Sequence, residues 1–315
     1  MAFGQANFAL ARPMPRFRPF AALVFSLLAA GTARAADRFD IAITVDDLPA
    51  HGLLPPGMTR LGIARTYIAA LKAHHVPQAW GFVNGGKIAQ DPDGAAVLAA
   101  WRKAGYPLGN HTWSHMNAGR ASSLEAWEAD ADRNEPVLRT YMAGENWRML
   151  RFPNLSVGAD EARRDGVFAW MKANGYREAD VSAAFSDWDY SDAYARCLAK
   201  GDQATIARMK AQYLKGVDDG LANLKAVSMR VYGRVIPQVL LTHIGGFSAV
   251  MLPEVLDRLD AAGAHYVTLE AAESDPAYAQ PGGGSVMSRA ARAQGVSLRD
   301  IPAPAPASEV KTWCR

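Results

Sequence analysis

His111 and His115 stand four residues apart, and they follow an adjacent pair of acids, Asp46 and Asp47, that ends an apolar stretch. One carboxylate and two imidazoles can hold a divalent metal while leaving coordination positions open for water and substrate. The second aspartate is then free to act as a base. Adjacent carboxylates in one cleft repel each other unless cations compensate them, and a metal on one with a guanidinium on the other meets that need. With 7 His in 315 residues, a single His-x-x-x-His spacing arises easily by chance. Its context decides what it means.

That context is a regular alternation of strands and helices. Short apolar runs predict strands at Ile41–Val45, Gln78–Val83, Tyr106–Asn110, Arg148–Phe152, Tyr176–Val181, Gln238–Thr242 and Ala264–Leu269. Helical patterns lie near 59–74, 94–104, 122–143, 160–174, 203–230 and 250–262. In the first of these, Leu61, Ala64, Ile68 and Leu71 recur at helical spacing. Such alternation implies a parallel sheet with right-handed crossovers, either a barrel or a doubly wound open sheet. The polar residues favour the barrel. Asp46 and Asp47 follow the first strand, His111 the third, Asp187 and Asp189 the fifth and His243 the sixth, while Arg151 lies at the end of the fourth. In a β/α barrel these strand ends converge on one face, where such enzymes build their sites.

The first 35 residues read as an export signal rather than as part of the fold. Arg12, Arg16 and Arg18 precede an apolar run from Pro19 to Ala30, and Ala33-Arg34-Ala35 supplies the small residues of a cleavage site. Cleavage predicts a mature chain that is periplasmic or secreted and has no transmembrane anchor. Removing the leader's four Arg leaves 30 Lys+Arg against 31 Asp+Glu, so the net charge falls from +3 to −1. No basic stripe remains, which argues against nucleic acid as a partner. An oxidising compartment permits a bridge between the only two cysteines, Cys197 and Cys314. One domain is expected over residues 36–274, followed by a loop-rich tail over 275–315 that contains Gly282-Gly283-Gly284 and Pro302-Ala-Pro-Ala-Pro306.

Four segments in order, Thr44-Val-Asp46-Asp47, His111-Thr-Trp-Ser-His115, Arg151-Phe-Pro153 and Leu241-Thr-His243, resemble the motifs of the polysaccharide deacetylase family, carbohydrate esterase family 4. The resemblance spans about residues 40–272. It implies a distorted seven-stranded (β/α) barrel and hydrolysis of an N-acetyl group on a carbohydrate, usually with zinc. Carried over, it makes Asp47, His111 and His115 the metal ligands. Asp46 becomes the general base, paired with Arg151, and His243 the general acid. Asp187 is the acid that orients His243, with Asp189 as the competing candidate because Asp187-Trp188-Asp189-Tyr190 offers two acid–aromatic pairs. Asn154 stands where the family often has an aromatic, and its backbone N–H is the expected oxyanion contact. Val45 replaces a family Phe.

The i, i+4 spacing of His111 and His115 predicts a helical turn that presents both rings on one side. His74-His75 reads as a charge complement to a helix end, and His265 as structural. His51 lies just past the aspartates, where it could line the pocket, but it is given no catalytic or ligand role. Trp80, Trp113, Trp147 and Trp188 are candidates for stacking on sugar, although aromatics near strand ends more often pack the core. Peptidoglycan, chitin-like oligomers and exopolysaccharide all remain open as substrates. Two other readings compete: a related metal amidohydrolase acting on a small non-sugar amide, and a catalytically silent glycan-binding barrel.

Overall fold

The computed structural model describes residues 1–4 and 38–315. The leader expected at 1–35, apart from its first four residues, lies outside the described residues. Residues 38–315 belong to one compact unit. Its strands are β1 (Phe39–Leu48), β2 (Ala79–Val83), β3 (Leu108–Asn110), β4 (Met149–Leu150), β5 (Arg177–Glu178), β6 (Ala183–Ala184), β7 (Gln238–His243) and β8 (Ala264–Tyr266). The helices are α1 (Arg60–Ala73), α2 (Gly94–Lys103), α3 (Leu124–Tyr141), α4 (Glu161–Ala173), α5 (Ser191–Ala199), α6 (Gln203–Tyr232), α7 (Gly246–Ala261), α8 (Leu269–Glu273) and α9 (Val286–Ala293).

Seven parallel strands run in the order β5-β4-β3-β2-β1-β7-β6, and β8 pairs with the start of β1. They curl into a half-barrel surrounded by helices, which is the distorted (β/α) barrel the sequence predicts. Parallel strands covered on both faces lack the half-polar alternation of surface sheets. Accordingly β1 is buried from Ile41 onward and β2 throughout. Asp46 pairs with His243 across β1 and β7, Val83 with Asn110 across β2 and β3, and Asn110 with Leu150 across β3 and β4. Register alone therefore places Asp46, His111, Arg151 and His243 on the carboxyl rim.

The fifth strand departs from expectation. Only Arg177–Glu178 pairs with β4, and the chain then crosses to β6, which pairs with β7. The carbonyls at the crossing find partners outside the ladder: Ala179 O accepts from Arg151 Nε at 2.7 Å and Asp180 O from Arg151 Nη2 at 3.2 Å. One guanidinium thus satisfies the backbone where pairing stops, as buried carbonyls require. The last predicted strand also shortens to Ala264–Tyr266, because Thr268 caps α8 by accepting from Ala271 N–H. The segment between β6 and β7 is two helices, α5 and α6. They are separated at Gly201 (φ 67°), after which the Asp202 side chain caps α6.

The tail is docked onto the barrel. Glu178 accepts from the N–H groups of Gly282 and Gly283 at 2.9 and 2.8 Å, and Arg289 forms a bidentate pair with Asp180. Val286, Met287, Ala291 and Val310 are buried. Cys197 in α5 is bonded to Cys314 across 117 residues of chain. Closing so long a loop restricts the unfolded ensemble, so Cys314→Ser is expected to lower the unfolding free energy by about 2–4 kcal/mol. Urea unfolding compared with the parent checks this; an unshifted midpoint would show that docking does not depend on the bridge.

Candidate active site

Successive residues in a strand face opposite sides, so two adjacent aspartates can share one cavity only where the strand is broken. Here the β1–β2 register shifts between Val45 and Leu48, and Asp47 takes a left-handed φ of 70°. Bulges re-aim side chains in this way, and Asp tolerates the conformation better than most residues. Both carboxylates then line a cavity of ≈ 360 Å³ with His51, His111, His115, Asn154, Leu155, Trp188, Leu241 and His243.

His111 follows β3 and is buried. Its Nδ1 donates to Arg151 O at 2.7 Å, which leaves the Nε2 lone pair facing Asp47 Oδ1 at 3.8 Å. His115 Nε2 is 3.6 Å from the same oxygen. The two histidines are not on a helical turn, contrary to the expectation from their spacing. Thr112 (φ 59°) and His115 (φ 61°) are left-handed, Met116 N–H donates to Thr112 Oγ1, and Ser114 N–H to Asp130 Oδ2. Side-chain acceptors have taken the donors a helix would use. The rings still converge, with centroids 4.9 Å apart.

Asp46 accepts from Arg151 Nη1 at 3.1 Å. Burial raises its carboxyl to about 6, against the opposing charge of Arg151. Burial also works to raise Asp47, but its hydrogen bond with His51 and the charge of Lys87 hold it well below the usual carboxylate range. Opposite them, Asp187 Oδ1 lies 3.0 Å from His243 Nδ1, while Asp187 Oδ2 accepts from His243 N–H and Ser248 Oγ, each at 2.7 Å. Asp189 faces Lys311 instead, at 2.7 Å. The turn bearing Asp187 is braced by Tyr190 stacked on Phe247 at 4.9 Å. Burial works to lower His243, yet the Asp187 charge and hydrogen bond outweigh it and the imidazole rises to about 9. Burial depresses His111 and His115. The site therefore holds two neutral imidazoles beside one that keeps its proton, a separation suited to metal ligation on one side and acid chemistry on the other.

The donor set fits a metal. Asp47, His111 and His115 offer one ligand atom each, all within 4.8 Å of one another. Tetrahedral zinc with bonds of about 2.0–2.1 Å spaces its ligand atoms about 3.3–3.4 Å apart, a few tenths of an ångström inside the observed 3.6 and 3.8 Å. Asp47 Oδ1 is buried and accepts no hydrogen bond, although Lys87 Nζ approaches to 3.0 Å as an ion pair.

The other predicted residues divide. Asn154 (φ 56°) sits exposed at the cavity rim, with its side-chain oxygen accepting from Asn117 at 3.0 Å. Trp188 meets His243 edge to face at 5.3 Å. Trp80 and Trp147 are core residues, and Trp113 packs under Arg133. His74 and His265 pair with Asp260 and Asp40. Sequence reasoning passed over Lys87 and Ser248, and placed His51 only as a residue that could line the pocket, which it does. Only His51, four residues after Asp47, offered a signal.

Residues 33–177 match the family model for polysaccharide deacetylases. Solved structures of similar fold include the chitin deacetylase of the fungal pathogen Colletotrichum lindemuthianum (TM-score 0.52, 18% identity, covering 75% of this chain and 88% of that one). Another is a mutant of peptidoglycan deacetylase PdaC from Bacillus subtilis (0.50, 19%, 82% and 97%). A third is a mutant of a pseudoenzyme from carbohydrate esterase family 4 with restored enzymatic activity (0.51, 15%, 75% and 68%). At these identities the likeness shows the fold. No curated protein matches the chain in sequence.

Proposed function

We propose, for a chain with the sequence pattern and fold of the polysaccharide deacetylases, that it is a metal-dependent hydrolase removing N-acetyl groups from a glycan polymer or oligomer. The observation that carries this reading is Asp47 Oδ1, a buried carboxylate oxygen without a hydrogen bond that faces two imidazole Nε2 atoms at 3.6 and 3.8 Å. Zinc held there by Asp47, His111 and His115 supplies a Lewis acid and lowers the pKa of water.

The remaining chemistry belongs to the chain. Asp46 uses its Oδ2, the oxygen not engaged by Arg151, to take a proton from the attacking water. Arg151 keeps that carboxylate aimed. The backbone N–H at Asn154 is the donor to the developing oxyanion. His243, whose Nδ1 is committed to Asp187, gives the proton on Nε2 to the leaving amine. Leu155, Leu241 and Trp188 offer the acetyl methyl an apolar wall. Mature chains with a leader such as residues 1–35 act outside the cytoplasm, where such glycans lie. No described helix is long and apolar enough to cross a membrane.

Acetate release from N-acetylated glycan oligomers, followed by mass spectrometry, tests the reading. Release only from small cyclic amides, or zinc uptake without hydrolysis across a glycan panel, would sink it. The pH dependence is a second check. The rate rises as Asp46 loses its proton near pH 6 and falls as His243 loses its own near pH 9. Asp187 is what raises His243, so Asp187→Asn is expected to move the upper limb of kcat/KM to lower pH. An unmoved limb would remove His243 as the acid.

A further inference from the structure

His51 is held more firmly than a loop histidine needs to be. Its N–H donates to Ile244 O at 3.2 Å, and its own carbonyl accepts from Arg60 Nη1 at 3.1 Å. Arg60 Nη2 also binds the next carbonyl, Gly52 O, at 2.6 Å. The ring is thereby set against the site, its side chain 17% exposed, with Nδ1 2.7 Å from Asp47 Oδ2. Its other face lies against His243, ring centroids 4.6 Å apart. A carboxylate only accepts, so His51 Nδ1 is the donor, in a short charge-assisted bond.

The two oxygens of Asp47 thus have different surroundings. Oδ2 is taken by His51, and Oδ1 faces His111 and His115. We propose that His51 is a positioning residue that fixes the Asp47 carboxylate for single-oxygen coordination by holding Oδ2 away from the metal. This rests on the reading that Asp47, His111 and His115 form the metal site. Without His51 nothing holds Oδ2, and the carboxylate, left with only the Lys87 ion pair on Oδ1, can turn about Cβ–Cγ. Groups that orient ligands in this way typically contribute about 10- to 100-fold to metal affinity.

Zinc affinity of the parent chain, His51→Leu and His51→Asn, measured by competition with a chromophoric chelator, tests this. His51→Leu is expected to bind zinc about 10- to 100-fold more weakly. His51→Asn carries an N–H close to the Nδ1 position and is expected to recover most of that loss, which a merely space-filling role would not predict. If His51→Leu does not fold, His51→Gln, whose amide falls nearer the Nε2 position, is the mismatched variant. Unchanged affinity in the mismatched variant, or no recovery with Asn, overturns the role of His51 and leaves the metal site standing. A parent chain that takes up no zinc overturns both.

Discussion

Asp46→Asn is expected to lower kcat by about 10²- to 10⁴-fold, the usual cost of removing a general base, which is roughly 3–5 kcal/mol of barrier. The substitution is chosen because so little else changes. Asn keeps an oxygen where Asp46 Oδ1 accepts from Arg151 Nη1 at 3.1 Å. The side chain is buried, and its volume is conserved. Asp47, His111 and His115 retain their atoms, so zinc content is expected to stay at the parent level. His111→Ala is the contrasting variant: it removes a ligand atom and is expected to lose zinc together with activity. Steady-state rates and metal analysis on both variants separate the two roles. An Asp46→Asn protein that kept most of its rate would show that another group takes the proton. A His111→Ala protein with full zinc would take His111 out of the coordination sphere.

Much of the site was legible because strand ends are legible. The run Ile41-Ala-Ile-Thr-Val stops at two acids, and the register of β1 with β7 then makes Asp46 the neighbour of His243. Arg151 follows a strand in register with Asn110, so its place on the same rim followed from periodicity. What escaped the sequence was set by contacts between distant residues. The His111–His115 spacing matches a helix, but Thr112 and Asp130 supply acceptors that hold the segment in left-handed turns instead. Spacing also could not rank Asp187 above Asp189, since the choice depends on which carboxylate the turn aims at His243 and which at Lys311. The fifth strand was read as one run because Tyr176, Ala179 and Val181 are apolar, although Arg177, Glu178 and Asp180 lie between them. Its interruption depends on a guanidinium 28 residues away, which binds the Ala179 carbonyl. His51 could be placed near the pocket by its position after Asp47, but its hydrogen bond to Asp47 Oδ2 could not be read from the sequence.

Arg151→Met carries the largest expected cost in stability, about 3–5 kcal/mol at neutral pH, because it leaves a buried charge without its partner. The guanidinium is 1% exposed and serves four acceptors: Asp46 Oδ1, Thr44 Oγ1 and the carbonyls of Ala179 and Asp180. It also lies over the Phe82 ring at 4.8 Å. Methionine fills the stem but answers none of these. The loss has a predictable sign with pH. Burial already raises Asp46 in the folded protein to about 6 from its ordinary value of 3.8. The folded state therefore holds this proton more tightly than the unfolded state, and the group lowers stability as pH rises from about 4 to about 6. Removing the Arg151 charge, which opposes that shift, drives the folded value higher and extends the window toward neutral pH. Arg151→Met is accordingly expected to lose least near pH 4 to 5, where Asp46 is neutral in the folded state of both parent and variant, and progressively more toward pH 8. Guanidinium unfolding of the chelator-treated parent and variant at the two ends of that range gives the comparison. An equal deficit at both ends would mean that lost hydrogen bonds, rather than the stranded Asp46 charge, account for the cost. The same shift would also hold Asp46 protonated at neutral pH, so the acid limb of the rate profile should move upward together with the stability.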